Sequence, residues 1–326
     1  MPRSAVPEPP RTNRTNRTNR TGRTGRRAGS VLVLLALCAI GLAPAGATAA
    51  TDPGSGGAGG PLYVSDYGND RVLRVPRRGG QDVVPAVGLV RPTGMVVDAA
   101  GDLYVADTGN NRVVRIPADG GPQVTVATDG LSRPLGLALD AAGDLYIADS
   151  FNDRVVEVPA DGSGQRTVPT VGLLHPWGLA FDSAGSLYVT DFVNDRVVTL
   201  PAGGGAQRTL PFTGLSQPAG IVLDPAGNLY VSDTGNSRVV RLAADGSGQS
   251  TVPASGLNDP LGLALDGRGR LYVADAFNNR VVRLAPDGSG QTTLPITGLN
   301  TPTGLAIPPT RTLPAGTHRE GRSWEP

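Results

Sequence analysis

The chain has 326 residues, of which 17% are charged and 4% are aromatic, and it contains 46 Gly and 29 Pro. This composition is typical of many short strands joined by tight turns and is unfavourable for long helices. All 29 basic residues are Arg; eight of them and one of the 28 acidic residues lie in residues 1–50, so residues 51–326 hold 21 Arg against 27 acids, a formal charge of −6. That sign argues against nucleic acid or an anionic membrane as a partner of the folded region, because both require a basic surface.

The amino-terminal segment is predicted to combine a disordered stretch with an export signal. Residues 11–27 read RTNRTNRTNRTGRTGRR and contain no apolar residue that could pack in a core. Val31–Leu42 is apolar but too short to span a membrane comfortably, and small residues follow it. The pattern predicts an export signal at about residues 28–50, cleaved after Ala49 or Ala50, and therefore a secreted or extracytoplasmic protein that is not inserted in a membrane after cleavage.

Two alternatives to an ordinary cleaved signal stay open. Arg26 and Arg27 precede the apolar run, as in twin-arginine signals, and an uncleaved signal would anchor the protein in the membrane. Cys38 is the only cysteine, and it follows Leu37 rather than the small residue of a lipoprotein processing site. Without cysteine, the mature chain has neither disulfides nor a thiolate metal site, so its stability must come from packing.

After a Gly-rich stretch at residues 51–60, which is predicted to be a linker, Leu-Tyr pairs recur at a nearly constant spacing. The tyrosines are 41 residues apart once and 42 residues apart four times, and they are Tyr63, Tyr104, Tyr146, Tyr188, Tyr230 and Tyr272. A period in this range, with several short β-rich runs in each unit, predicts the blades of a propeller. We therefore predict an all-β, six-bladed β-propeller over residues 61–308.

Each unit is predicted to contain four consecutive antiparallel strands. In residues 134–169 the strands are GLALD from Gly136, LYIAD from Leu145, RVVEV from Arg154 and QRTVP from Gln165. Turns rich in Gly and Asp separate them, which indicates a meander. The first strands alternate small and large residues, so a bulky face of one blade can pack on the small face of the next.

The phase of the repeat predicts how the ring closes. The first unit begins with a second strand, at Pro61–Asp66, and the chain ends its repeats with a first strand, at Thr301–Pro308. Pairing of this last strand with the amino-terminal blade would complete a blade and remove exposed sheet edges. Deletion of Thr303–Ile307 is therefore expected to open the ring. The tail at residues 309–326 has no strand pattern and is predicted to be disordered.

The repeats resemble the NHL repeat family over residues 61–308. The outline is PxGLALDxxGxLYVADTGNNRVVRL, and Thr209–Leu242 and Leu294–Ile307 are also similar to the extracellular sensor propeller of PknD-type bacterial serine/threonine kinases. That resemblance implies an extracytoplasmic six-bladed propeller used for recognition, with the loops at one end forming the binding face. The chain departs from those kinases because it has no kinase domain. Some animal NHL domains bind RNA through a basic surface, which the charge of −6 does not favour.

An Asp-x-x-Asn-x-Arg pattern recurs between the second and third strands of every unit. Six Asp side chains around a channel would suit a cation, but an Arg always five residues after its Asp favours a structural turn lock in which the two side chains pair. The pairs are Asp66 and Arg71, Asp107 and Arg112, Asp149 and Arg154, Asp191 and Arg196, Asp233 and Arg238, and Asp275 and Arg280.

Side chains for catalysis are scarce in the repeats. Lactonase-like, streptogramin-lyase-like and amidating-lyase propellers are similar in outline, but they use Glu or His near the channel. Residues 61–308 contain one Glu, Glu157, and one His, His175, which excludes a three-His zinc set. We predict no catalytic residue, no metal site and no cofactor. The alternative is a lactonase-like or lyase-like enzyme with a divalent metal in the central channel.

Large aromatic residues vary between the units at one end of the predicted ring, where the loop before the first strand meets the turn after the second. Such residues are plausible anchors for a partner, although they could also fill gaps between adjacent loops. The candidate contact residues are Trp177, Phe192, Phe151, His175, Tyr67 and Phe277. We predict a monomeric, non-catalytic binding or sensor module for a protein, peptide or glycan of the cell envelope. A propeller that survives from a former sensor kinase and binds nothing is a further alternative.

Overall fold

A computed structural model describes residues 60–286 and 289–309. The predicted export signal, the linker before Gly60 and the tail after Pro309 lie outside these residues. Within the described part of the chain, no helix is long and apolar enough to cross a membrane.

The described residues form six four-stranded antiparallel sheets, which are the blades of a ring, and this confirms the predicted six-bladed β-propeller. The first blade holds β1 (Leu62–Asp66), β2 (Arg71–Val75) and β3 (Asp82–Val83). The second holds β4 (Pro92–Val97), β5 (Leu103–Asp107), β6 (Arg112–Ile116) and β7 (Val124–Thr125). The third holds β8 (Pro134–Leu139), β9 (Leu145–Asp149), β10 (Arg154–Val158) and β11 (Arg166–Thr167).

The remaining three blades repeat this order. The fourth holds β12 (Pro176–Phe181), β13 (Leu187–Asp191), β14 (Arg196–Leu200) and β15 (Arg208–Thr209). The fifth holds β16 (Pro218–Leu223), β17 (Leu229–Asp233), β18 (Arg238–Leu242) and β19 (Gln249–Thr251). The sixth holds β20 (Pro260–Leu265), β21 (Leu271–Asp275), β22 (Arg280–Leu284) and β23 (Thr292–Thr293), and β24 (Pro302–Ala306) follows it. Single 3-10 turns lie at Tyr67–Asn69, Thr108–Asn110, Ser150–Asn152, Thr234–Asn236 and Ala276–Asn278.

Two strands of the unit differ in length from the sequence prediction. The first strand of the third blade begins at Pro134, two residues before the predicted Gly136, and its register with the second strand shifts between Pro134 and Leu137. The outer strand has two residues, Arg166–Thr167, where five were predicted. The outer strand has a sheet neighbour on one side only, so little pairing holds its ends in the sheet.

The hydrophobic core lies between neighbouring blades. One cluster joins Ala106 and Val113 of the second blade to Leu137, Ile147 and Val156 of the third. Val113 and Ile147 are fully buried. Burial of such a side chain contributes roughly 1.5–3 kcal/mol. Each sheet is therefore stabilised on both faces by its neighbours, as the alternation of small and large residues predicted.

Strand β24 closes the ring by pairing antiparallel with β1. Tyr63 is opposite Ala306 and Val64 is opposite Leu305. Leu305 is 7% exposed and belongs to a core cluster that also contains Val64 and, from the sixth blade, Tyr272. The first blade is thus built from two distant segments of the chain, in the same strand order as the other five blades.

Six glutamine side chains fasten the segments that cross from one blade to the next. Gln123 accepts a hydrogen bond from the backbone N–H of Val87 at 3.0 Å and donates one to its carbonyl oxygen at 3.1 Å. Gln81 makes the same two bonds with Thr297, at 2.8 and 3.0 Å, across the junction between the chain ends. The other four clasps use Gln165, Gln207, Gln249 and Gln291. These clasps were not predicted from the sequence, although a Gln recurs in every unit.

Glycines line the innermost contacts between the blades. A Cβ atom on any of six glycines would lie 2.0 to 2.4 Å from a backbone carbonyl oxygen of the next blade. At Gly136 that oxygen belongs to Trp177, at 2.1 Å. The six glycines are Gly94, Gly136, Gly178, Gly220, Gly262 and Gly304. No residue with a side chain fits here unless two blades separate.

We expect Gly136→Ala to destabilise the fold by about 3 kcal/mol or more, at the upper end of overpacking effects, because the obstructing atoms are backbone. The control is Gly248→Ala, where a Cβ atom would meet nothing within 4 Å. Urea unfolding of both variants measures the difference. Equal unfolding free energies for the two variants would show that the blades do not meet at these glycines.

Candidate functional site

The end of the ring that carries the predicted contact residues is formed by two kinds of loop, and we call it the upper face. In each blade the loop that leads into the first strand lies beside the turn between the second and third strands. In the third blade the N–H of Phe151 donates to the carbonyl oxygen of Ser132 at 3.1 Å, and in the fourth the N–H of Val193 donates to Leu174 at 3.2 Å. The two loops are therefore held together by their own backbones.

Each turn between second and third strands contains a buried carboxylate that accepts three kinds of hydrogen bond. In the third blade Asp149 accepts from Arg154 Nε at 2.7 Å, from Asn152 Nδ2 at 2.8 Å and from the N–H of Ser132 at 2.6 Å. The same three donors occur in every blade, with Arg to Asp distances of 2.6 to 2.7 Å. All six carboxylates are fully buried, and they belong to Asp66, Asp107, Asp149, Asp191, Asp233 and Asp275.

These carboxylates are hydrogen-bonded within the protein and do not face solvent. Their lone pairs accept protein donors, and the paired Arg71, Arg112, Arg154, Arg196, Arg238 and Arg280 are about one third exposed. Among the described residues, no group of three or more His, Cys, Asp and Glu side chains is arranged to hold a metal ion. The geometry supports the structural role of the Asp and Arg pairs more than the cation site that was its alternative.

The residue immediately before each first strand has a left-handed backbone. The six residues have φ between 49° and 54°, and they are Arg91, Arg133, His175, Gln217, Asp259 and Thr301. This conformation is unfavourable for residues other than glycine. In the fourth blade it is held by Asp153, whose Oδ1 accepts the N–H of His175 at 2.8 Å. Burial raises the pKa of Asp259 above its ordinary value. Of these six residues, only His175 was a candidate contact residue from the sequence.

Trp177 and Phe192 form an aromatic pair within the fourth blade. Their ring centroids are 4.9 Å apart and their planes are inclined by 30°. Phe192 is only 3% exposed, while Trp177 is partly exposed. Phe192 therefore fills space beneath the surface, and Trp177 is the member of the pair that a partner could contact.

Phe151 is the most exposed of the predicted aromatic residues, at 40% of its surface. Its ring meets the edge of His175 at a centroid distance of 4.6 Å. The Phe151 ring also contacts Arg133, whose guanidinium carbon lies 4.6 Å from the ring centroid in a cation–π geometry. Phe151 thus joins the loops of the third and fourth blades on the surface.

Tyr67 in the first blade makes a similar contact with an arginine. Arg91 lies over its ring, with the guanidinium carbon 6.0 Å from the centroid. Burial raises the pKa of the Tyr67 hydroxyl, against the opposing charges of Arg91 and Arg133. Phe277 is 39% exposed in the sixth blade, and no ring contact among the described residues joins it to the other aromatic residues.

Two further aliphatic side chains are exposed in the loops of the fourth blade at the upper face. Leu174 is 36% exposed and Val193 is 37% exposed, and their backbones are hydrogen-bonded to one another. We call Phe151, Leu174, Trp177 and Val193 the apolar patch. Leu174 was not predicted as a contact residue, because one leucine in a loop gives no signal until its exposure is known.

The opposite end of the ring has a cavity of about 340 Å³. Asp182, Asp224 and Asp266 line it, but each serves its own turn. In the fourth blade Oδ1 of Asp182 accepts the N–H groups of Ala184 and Ser186. The carboxylates of the cavity therefore already accept hydrogen bonds from the protein, and the rest of its lining includes apolar side chains such as Phe181 and Leu223.

Four stretches of the sequence match the NHL repeat, at residues 89–116, 173–200, 215–242 and 257–284. Each stretch runs from the loop before the first strand to the end of the third strand. The chain thus carries four NHL repeats within a six-bladed propeller. The first and third blades have the same strands without a separate match. The further resemblance to PknD-type sensor domains stays a prediction.

Solved structures similar to this NHL-repeat propeller come from proteins with different roles. A chain from a nidogen/laminin complex is 24% identical, with a TM-score of 0.70 and coverage of 77% of this chain and 99% of that chain. A streptogramin B lyase is 17% identical, with a TM-score of 0.59 and coverage of 76% and 83%. Virginiamycin B lyase from Staphylococcus aureus is 17% identical, with a TM-score of 0.57 and coverage of 75% and 87%. No curated protein sequence matches. At these identities the likeness shows the fold alone.

Proposed function

We propose that this NHL-repeat propeller is an exported, non-catalytic recognition module that binds a protein, peptide or glycan of the cell envelope through its upper face. The observation that carries the proposal is the apolar patch, in which Trp177 at the start of β12 and three side chains on loops joined by backbone hydrogen bonds lie on two adjacent blades. Large apolar side chains on a preorganised surface supply binding energy with little loss of conformational entropy. The export signal predicted from residues 28–50 supports the location.

Two further observations favour recognition over other roles. A propeller of similar fold occurs in the nidogen/laminin complex, so this fold takes part in at least one protein complex. The upper face also differs from blade to blade, whereas the Asp and Arg pairs and the glutamine clasps are the same in all six blades. Loops that vary on a regular scaffold are typical of a binding surface.

The apolar patch is tested by replacing its most exposed member. We expect Phe151→Ala to reduce capture of an envelope partner about tenfold or more, with little change in melting temperature, because the ring is on the surface. Capture from an envelope extract on immobilised wild-type and variant chains measures the effect. Val124→Ala is the control, because Val124 is 48% exposed on an outer strand away from the upper face.

Phe192→Ala distinguishes packing from contact in the same assay. Phe192 is buried, so its loss is expected to lower stability by about 3–5 kcal/mol. A Phe151→Ala variant that melts as low as Phe192→Ala would assign Phe151 to packing. Capture that is equal for wild type, Phe151→Ala and Trp177→Ala would reject the upper face as the binding surface.

The second candidate is an enzyme of the lyase type, and the likeness to streptogramin B lyase and virginiamycin B lyase favours it. Against it, Glu157 pairs with Arg166 of the neighbouring outer strand at 2.5 Å, away from the channel. The imidazole ring of His175 packs against the ring of Phe151 rather than beside a Glu side chain. Metal analysis of the purified protein together with a lactonase and streptogramin-cleavage screen separates the two functions, since cleavage that depends on a divalent ion would reject the binding proposal.

A further inference from the structure

Among the described residues, two buried polar side-chain atoms have no hydrogen-bond partner, and both belong to the upper face of the third blade. They are Nη1 of Arg133 and Oγ of Ser150. In the second and fifth blades a threonine takes the place of Ser150, and its hydroxyl donates to a proline carbonyl oxygen of the next blade, at 2.7 Å from Thr108 and 2.8 Å from Thr234. Buried polar groups without partners are rare in native proteins, and their concentration in one blade marks it out.

The charge of Arg133 is also uncompensated. Arg133 makes no ion pair with any of the described residues, and the side chain that accepts its backbone N–H is the neutral Asn111, at 2.8 Å. The corresponding acceptors for Arg91 and His175 are the carboxylates of Asp70 and Asp153. Stacking on Phe151 supplies part of what the guanidinium lacks, but it does not neutralise the charge.

The surroundings of Arg133 indicate what would neutralise it. A guanidinium group binds a carboxylate through paired N–H donors, and the hydrogen bonds are strong because both groups are charged. Immediately beside it lies the apolar patch, in which Leu174 and Val193 are aliphatic. Sugar rings stack on aromatic faces, whereas exposed aliphatic side chains match the leucine-like and phenylalanine-like side chains of a polypeptide.

We propose that the third and fourth blades bind a protein segment in which an acidic side chain lies next to a large apolar side chain, with the carboxylate on Arg133 and the apolar group on Phe151, Leu174 and Val193. The inference rests on the proposed function and specifies the class of partner. Binding of an acidic segment is not favoured by the overall charge, since residues 51–326 carry a formal charge of −6. An acidic partner is therefore recognised by local geometry rather than by long-range attraction.

The test begins with a phage-displayed library of random dodecapeptides selected on the immobilised full chain. We expect the enriched sequences to share an Asp or Glu within two positions of Leu, Ile, Met or Phe. One enriched peptide is then synthesised with its acidic residue and, separately, with the matching amide, and its affinity is measured by fluorescence anisotropy.

Arg133→Gln is expected to weaken binding of the acidic peptide about tenfold or more, and Arg133→Lys less. The amide peptide is expected to bind wild type weakly and to lose nothing further on Arg133→Gln, because the two changes remove the same interaction. Arg208→Gln, which alters an exposed arginine on the outer strand of the fourth blade, is the control. Melting curves should show at most a small change for Arg133→Gln, since it removes the stacking contact with Phe151 together with an unpartnered buried group.

The outcomes separate this inference from the proposed function. Enriched peptides without acidic residues, or equal binding by wild type and Arg133→Gln while Phe151→Ala loses binding, would reject the carboxylate site and leave the recognition surface in place. Binding unaffected by both substitutions would reject both proposals. Capture of an acidic polysaccharide such as polygalacturonate, with no peptide enriched, would assign the guanidinium to a glycan and overturn the protein segment as partner.

Discussion

A chain that ends at Thr301, and so lacks β24, is expected to lose the closed ring and to self-associate. The buried side chains of Thr303 and Leu305 would be lost, and β1 would be left without its strand partner. Loss of one buried leucine side chain alone costs about 2–5 kcal/mol, and a typical domain has a stability of about 5–15 kcal/mol, so removal of the whole strand should consume most of it. Thermal unfolding and light scattering after gel filtration measure both effects.

The matched control is a chain that ends at Pro309, which keeps β24 and removes only residues beyond the described strands. It should melt and elute as the full chain does. If the chain ending at Thr301 also matched the full chain in melting temperature and mass, the ring would not depend on pairing between its first and last strands.

The second large effect is expected from Asp149→Ala. The substitution leaves Arg154, Asn152 and the N–H of Ser132 without their shared acceptor. Removing one member of a buried, hydrogen-bonded ion pair typically costs about 3–5 kcal/mol, because the remaining charge and donors stay desolvated. Urea unfolding of the full chain gives the free energy directly.

Glu157→Ala is the control for Asp149→Ala, because both residues are acidic members of ion pairs in the third blade. Glu157 pairs with Arg166, whose side chain is 61% exposed, so its loss should change stability by less than about 1 kcal/mol. A loss for Asp149→Ala no greater than that for Glu157→Ala would mean that the buried pair does not hold the turn. The carboxylate would then be available for another role, such as cation binding.

The closed ring could be predicted from the sequence because the strands at which the repeats begin and end are recognisable. A first unit that begins with a second strand and a last unit that ends with a first strand allow one closed arrangement, and β24 on β1 is that arrangement. The glycine contacts could not be predicted in the same way. Alternation shows that Gly136 lies on a small face, but only the packing of two blades shows that a carbonyl oxygen stands 2.1 Å from where its Cβ would be.

The candidate contact residues divide according to a rule that the sequence alone did not reveal. In the third and fourth blades the first residue after the turn aspartate lies beneath the surface and the second is exposed, so Phe192 is buried while Phe151 is exposed. Both were treated as equivalent aromatic replacements of turn residues. Arg133 was not identified at all, because its significance depends on a missing partner, and a missing partner is a property of the folded neighbourhood rather than of the residue.

The glutamine clasps have a consequence for how the polypeptide could be cut. Gln81 grips Thr297 across the chain ends with the same two hydrogen bonds that Gln123 makes with Val87 inside one continuous segment. The same hydrogen bonds therefore join two neighbouring blades whether or not the chain is continuous between them. New termini opened in any other blade, with the old ones joined by a linker, would leave the network of contacts unchanged, so a circular permutant could present the Arg133 region at any chosen distance from a fusion point.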